Sequence, residues 1–164
     1  MKICLVASRG GHLAELGFAR ELKGEAFLIT EKTGDAVSLC DRVYYVDPIN
    51  RRQPDAVLKI IRLFVRANGI LKTEQPDVFV STGALISIPV LLLGKLRKKK
   101  VIFVESMARV EDLSLSGKIA YRFADVFVVY WESLARKYPK ATCIDLFSEG
   151  KNDPCDCGNP EVPV

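Results

Sequence analysis

Short apolar runs recur along this chain, each followed by a stretch with helical spacing, and that alternation limits the possible folds more than any other feature. The runs are Ile3–Ala7, Ala26–Thr30, Val43–Val46, Asp77–Ser81, Val101–Val104, Val126–Val129 and Ala141–Leu146. They are rich in Val, Ile and Phe, the residue types of strands buried on both faces. Between them, Leu13–Leu22, a segment opened by Pro54 and stopped at Gln75-Pro76, Leu85–Leu96, Ser114–Phe123 and Glu132–Tyr138 read as helices. Pro54 suits a first helical turn. Pro89 either marks the start of its helix near Ile88 or kinks it. Strands alternating with helices predict a parallel sheet of the α/β class, doubly wound and covered on both faces.

The second helix is expected to bury Val57, Ile60, Ile61, Phe64 and Val65. Lys59, Arg62 and Arg66 then share another face, which is either solvated or laid on an anionic membrane. Arg97 to Lys100 follow the third helix. Cations suit a helix C-terminus, and a leucine-rich segment ending in a basic cluster also suits docking on an anionic membrane surface.

Length and composition narrow the class. At 164 residues, one domain with a real core is expected, and 49% apolar with 27% charged residues describes a soluble globular chain. A net charge of +4 is too small to argue for nucleic acid. The cysteines (Cys4, Cys40, Cys143, Cys155, Cys157) are scattered, which suits a reducing cytoplasm. The first apolar run is too short for a signal peptide. Ile88–Leu93 falls far short of the ~20 residues that span a bilayer. From Ser148 the composition turns to Gly, Pro, Asn, Asp and Cys. Residues 1–147 therefore read as the folded domain and 148–164 as a tail, disordered or partner-docking. Cys155 and Cys157 lack companion ligands there, so no metal is assigned.

Ligands of parallel sheets bind outside the carboxyl ends of the strands. Three polar or small-residue turns fall there: Ser8–His12, Ser81–Ala84 and Glu105-Ser106. The first is glycine-bearing and leads into a helix, so its free N–H groups offer a seat for phosphate. It carries His12, the only histidine. A helix N-terminus disfavours imidazolium, so His12 is expected to be neutral and able to accept a proton, or else simply to cap the helix. The spacing G-x-G-x-x-G and a ribose-binding acid on the second strand are both missing, which argues against a stand-alone dinucleotide enzyme.

The motifs S-x-G-G-H (Ser8–His12), S-T-G-x-x-x-S-I-P (Ser81–Pro89), V-x-F-V-E-S-x-A-R-V (Val101–Val110), S-G-K (Ser116–Lys118) and F-A-D-V-F-V-V-Y-W-E (Phe123–Glu132) form a series. In this order they resemble the acceptor-side subunit of two-component glycosyltransferases. One branch of that family acts in bacterial capsule and exopolysaccharide assembly. Another is the membrane-recruiting subunit of the dolichol-pathway N-acetylglucosaminyltransferase. The series is also similar to the N-terminal half of the one-chain enzyme that makes lipid II. The resemblance covers Met1 to Leu146.

It implies a Rossmann-like sheet forming one half of a GT-B glycosyltransferase, and an inverting, UDP-sugar-dependent transfer to a polyprenyl-diphosphate-linked sugar. The donor would sit on a partner subunit in a heterodimer, with no cofactor on this chain and the metal requirement open. His12 would be the base. Glu105 would orient His12 or bind acceptor hydroxyls. Ser8, Arg9, Gly10, Gly11, Thr82, Gly83, Ser87 and Ser106 would hold the acceptor diphosphate and sugar. Leu91, Leu92, Lys95, Arg97, Lys98, Lys99 and Lys100 would meet the membrane. The sequence lacks the N-terminal membrane helix of the eukaryotic branch. The expectation is therefore a bacterial-branch protein, cytoplasmic and peripheral on the inner face of the cell membrane. The alternative within the family is a non-catalytic recruiting scaffold with a structural His12.

Overall fold

The computed structural model describes residues 1–17, 24–32, 39–49 and 53–144. Seven strands form one parallel sheet: β1 (Lys2–Ala7), β2 (Glu25–Glu31), β3 (Arg42–Val46), β4 (Val78–Ser81), β5 (Lys100–Val104), β6 (Val126–Val129) and β7 (Ala141–Cys143), in the order β3-β2-β1-β4-β5-β6-β7. The helices are α1 (Gly11–Glu15), α2 (Ala56–Glu74), α3 (Ser87–Leu96), α4 (Leu115–Ala120) and α5 (Glu132–Lys137). The chain winds outward from β1 to β3 on one side, then crosses to β4 and winds the other way. β1 and β4 are neighbours, so the reversal of direction lies between them. That is the crevice where open α/β sheets place their ligands.

Right-handed crossovers put α2, α3, α4 and α5 on one face of the sheet. The main core lies there, with Cys4, Phe27, Phe79, Phe103 and Phe127 of the strands against Leu63, Leu71, Leu91 and Leu134 of the helices. Phe103 and Phe127 stack with centroids 5.2 Å apart. On the other face α1 supplies Leu16 over Leu5, Leu28 and Val80. Beyond it an apolar groove runs across Ile3, Val80, Ile102, Val104 and Val128, bordered by Tyr130 and Ile144. The expected cover on both faces is thus complete on one side only among the described residues.

Three local expectations change. α2 turns Ala56, Leu63, Ala67 and Leu71 to the core, while Val57, Ile61 and Val65, expected inside, are exposed. The buried face is read from smaller residues: alanines fit where the helix approaches closely, so side-chain size misled the sequence reading. Pro89 neither starts nor kinks α3; it is the third residue of the helix, in the first turn, where no intrahelical N–H is needed. Its neighbours Val90, Leu91 and Leu93 are buried. The tail 148–164, with Cys155 and Cys157, lies outside the described residues, as do Arg51 and Arg52.

At the amino edge of the sheet, Glu74 closes α2 with its side chain only 3% exposed. It accepts from Lys2 Nζ (2.9 Å) and Tyr44 Oη (2.5 Å) and pairs with Arg42 (3.0 Å). Burial would push its carboxyl up, but the hydrogen bonds from Tyr44 and Lys2 and the charges of Arg42 and Lys2 outweigh it and hold the pKa below the usual range.

Candidate functional site

The β1 and β4 exits are tied together by two reciprocal hydrogen bonds. His12 Nδ1 lies 2.9 Å from the carbonyl oxygen of Thr82, and Thr82 Oγ1 donates to the carbonyl of His12 at 2.6 Å. A carbonyl only accepts, so Nδ1 carries the proton and Nε2 of the neutral ring keeps its lone pair. The ring lies on Gly83, whose φ is +118°; a Cβ there would stand 3.0 Å from His12 Cε1 and 3.2 Å from Nδ1. The Gly83 N–H donates to Ser81 Oγ at 3.1 Å. Gly83 was expected to offer its N–H to a diphosphate. It serves instead as the floor under the imidazole, because the buried Ser81 hydroxyl takes that N–H.

Ala84 follows with φ +74°, a conformation unfavourable for a residue with a Cβ. Ser87 holds it: its N–H and Oγ both reach the Ala84 carbonyl, at 3.2 and 2.6 Å. Ser87 is fully buried. Its expected contact with substrate is therefore replaced by support of this strained turn.

Glu105 also changes role. It is 1% exposed and accepts from the Ser106 N–H (3.1 Å), the Ser114 N–H (3.0 Å) and Ser114 Oγ (3.1 Å). Its carboxylate fills the space beside Gly117, where a side chain would collide with it. It neither orients His12 nor reaches an open surface; it anchors the start of α4. Ser114 caps that helix by accepting from the Gly117 N–H.

The carboxylate beside His12 is Glu15, which the sequence reading passed over. Its Oε2 is buried without a hydrogen-bond partner and lies 3.7 Å from His12 Nδ1. Its Oε1 accepts from Ser106 Oγ (2.7 Å) and the Met107 N–H (3.2 Å). Ser106, expected to bind substrate, is thus a strut between Glu15 and the loop after β5. A readable signal existed: Glu15 stands three residues after His12, so both share one face of α1.

That loop is pinned from its other side as well. Trp131 Nε1 donates to the Met107 carbonyl (2.7 Å) and Ser133 Oγ to the Val110 carbonyl (2.5 Å). Asp112 accepts from Lys118, Tyr138 and Lys137, and these bonds hold its carboxyl well below the usual range. The result is a fixed platform for Arg109, an exposed residue for which no ion pair is recorded among the described residues.

A cavity of about 350 Å³ opens here, lined by His12, Ile49, Leu85, Arg109, Ser114, Leu115 and Ser116. One part is polar and cationic, the other aliphatic. Space is open beside Gly10 (φ +79°) and Gly11, where a Cβ would meet nothing within 4 Å. Arg9 is exposed, and Ser8 Oγ approaches only the Arg9 carbonyl at 3.5 Å. Of the expected site residues, the structure brings His12, Thr82 and Gly83 together, with Gly10 and Gly11 in the same turn as His12. It turns Ser87 and Glu105 inward.

The expected membrane residues sit elsewhere. Leu91 is fully buried against the core and touches no surface, a correction that follows from the helix packing on two strands; Leu92 is exposed. Lys95 pairs with Asp125, Arg97 donates to Asn68 Oδ1 at 2.7 Å, and Lys99 pairs with Asp77 at 3.0 Å. Lys98 and Lys100 are exposed beside the amino end of β5. The His12 cavity lies at the carboxyl ends, about 15 Å along the strands.

Residues 43–147 match the family described as "Oligosaccharide biosynthesis protein Alg14 like". The sequence is 36% identical over 110 residues to the human UDP-N-acetylglucosamine transferase subunit ALG14, covering 60% of this chain and 51% of that protein. It is 49% identical over 82 residues to the subunit of the same name from Eremothecium gossypii, covering 46% and 36%. The chain thus spans about half the length of such relatives, or less. Among solved structures, MurG of Acinetobacter baumannii superposes with a TM-score of 0.62 at 19% identity, covering 78% of this chain and 40% of that one. UDP-GlcNAc 2-epimerase of Methanocaldococcus jannaschii superposes at 0.65 with 16% identity, covering 88% and 46%. The fold is therefore the Rossmann-like half expected of a GT-B protein.

Proposed function

The chain belongs to the Alg14-like family of oligosaccharide biosynthesis proteins, and from that membership and the geometry around His12 we propose that it is the acceptor-side subunit of a UDP-sugar-dependent glycosyltransferase. The named relatives are subunits of a UDP-N-acetylglucosamine transferase, so the proposed donor is UDP-N-acetylglucosamine, held by a partner subunit. The acceptor is a sugar on a polyprenyl diphosphate at a membrane. These relatives are human and fungal; the bacterial capsule and exopolysaccharide setting expected from the sequence gains no support from them.

The observation that carries this reading is His12. Its Nδ1–H is committed to Thr82, so Nε2 is the basic nitrogen at a cavity that also holds Arg109 and two serines. In the proposed step the acceptor hydroxyl gives its proton to Nε2 while its oxygen attacks the anomeric carbon of the donor. The bond from that carbon to the diphosphate of UDP breaks, and the configuration inverts. The imidazolium that results has Glu15 Oε2 3.7 Å from Nδ1, a fixed negative charge placed to stabilise it. Arg109 offers a forked donor to the acceptor diphosphate. The open turn at Gly10 and Gly11 offers backbone N–H groups, and Ile49, Leu85 and Leu115 match the first isoprene units.

The test is transfer by the chain reconstituted with its donor-binding partner, with wild type and His12→Ala. A loss of about 10²–10⁴ in kcat with assembly intact is expected of a general base. Activity that survives the substitution would make this chain a recruiting scaffold and refute the base role.

A further inference from the structure

α2 has two apolar faces, and only one of them meets the protein. Ala56, Leu63, Ala67 and Leu71 are buried. About half a turn away, by the 100° step of the helix, stand Val57, Leu58, Ile61 and Val65, exposed to 69, 49, 55 and 67%. The outward pole of a water-facing helix is normally polar. Here it is aliphatic for its first two to three turns. Arg62 and Arg66, one turn apart, flank it; both are exposed, and no ion pair is recorded for either among the described residues. The helix carries a single carboxylate, Glu74, which is buried at its far end and already bound to Lys2, Tyr44 and Arg42. The outward face is therefore aliphatic and cationic, with no negative charge.

We propose that this face of α2 is where the protein lies on an anionic lipid bilayer, with the aliphatic side chains in the headgroup–acyl boundary and Arg62 and Arg66 on the lipid phosphates. Two further observations favour lipid over a protein partner. The patch is built from Val, Leu and Ile without an aromatic anchor, whereas protein hot spots are enriched in Trp, Tyr and Arg set in pockets. Its position also fits. α2 begins at the carboxyl edge of the sheet, seven residues after Ile49, which lines the His12 cavity. The patch continues the aliphatic side of that cavity, on the edge from which a lipid-linked substrate would enter. The proposal deepens the acceptor reading and rests on it for its purpose, but the surface itself is read from α2 alone. It moves the membrane contact from Lys98–Lys100 at the opposite edge.

Flotation of the full chain with phosphatidylcholine vesicles, with and without phosphatidylglycerol, tests this without any partner subunit. Wild type should float with the anionic vesicles. Ile61→Asp/Val65→Asp should weaken binding at least about tenfold. Arg62→Gln/Arg66→Gln should weaken it roughly fivefold per charge. Lys98→Gln/Lys100→Gln should bind like wild type. Every substitution is at an exposed side chain, and a thermal melt of each variant confirms folding. Failure of wild type to float, wild-type binding by the Asp pair, or a loss confined to the Lys98/Lys100 variant each overturns the proposal. So does a dimer in light scattering that the Asp pair abolishes without any vesicle binding. With a water-soluble short-chain acceptor and the partner present, the α2 variants should turn over like wild type. No turnover by any variant in that assay refutes the acceptor reading and leaves the vesicle result standing.

Discussion

Replacing Gly83 with alanine should disturb His12 more than it disturbs the sheet. The residue sits at φ +118°, outside the region open to L-residues, and a strained backbone of this kind costs about 1–3 kcal/mol. The added methyl would stand 3.0 Å from His12 Cε1, so the ring must move away. The Nδ1–H bond to Thr82 then lengthens or breaks, a further loss of about 1 kcal/mol. The expected destabilisation is about 2–4 kcal/mol, a large share of the 5–15 kcal/mol typical of a domain. Urea unfolding measures it. Because His12 is the only histidine, a long-range ¹H–¹⁵N NMR spectrum of the imidazole reports its tautomer without ambiguity. Wild type should hold the proton on Nδ1; Gly83→Ala should show a mixture of tautomers. A variant within ~0.5 kcal/mol of wild type, with the Nδ1–H tautomer intact, would refute the packing of ring on glycine as the reason for that residue.

Glu74 makes stability depend on pH. Its folded pKa is depressed, so the unfolded chain binds the extra proton; the contribution is complete above about pH 4.3, the unfolded glutamate value, and is lost as pH falls through the folded value. Glu74→Gln should flatten that acid limb in urea titrations and cost about 3 kcal/mol at pH 7, since Lys2 and Arg42 lose their buried partner; an unchanged acid limb would remove Glu74 as its origin. Glu105→Gln should lower stability by about 2 kcal/mol, because an amide group then faces the donors of Ser106 and Ser114. With the reconstituted pair, its pH–rate profile should keep the wild-type shape; a shifted basic or acidic limb would return Glu105 to the proton-transfer chemistry.

The strands were readable because buried parallel strands are continuous apolar runs, and their carboxyl ends follow from chain direction alone. That was enough to bring Ser8–His12, Ser81–Ala84 and Glu105-Ser106 to one rim. It was not enough to say which side chains face the rim. Glu105 sits at a strand end as an active-site acid would, yet α4 closes over it through Ser114 and Gly117. Glu15 was hidden for the opposite reason: it is one of many glutamates on helices, and only the fold brings it to the loop after β5, 91 positions away from it in sequence. Arg109 lay inside a recognised motif, but its use depends on a loop held by Trp131, Ser133 and Asp112. On α2 the larger aliphatic residues suggested the core face, whereas close packing selected Ala56 and Ala67.

Glycine-rich exits from strands in this class of fold invite the reading of a phosphate cradle, and the two exits at the β1–β4 reversal divide on that point. At β4 the backbone donor is taken: Gly83 gives its N–H to Ser81, its missing side chain makes room for an imidazole, and Ala84 is held strained by Ser87. At β1 both glycines face open space. The first exit therefore fixes a base and the second leaves backbone donors free, with His12 joining them through a pair of hydrogen bonds 70 residues apart in sequence. A dinucleotide site needs its glycines to admit a pyrophosphate at one helix end. Here one exit is occupied by a side chain of the other, which leaves room to position a hydroxyl against Nε2 beside Arg109. That division of labour is what a half-site for an acceptor requires, and it is why the same sheet serves here without a nucleotide of its own.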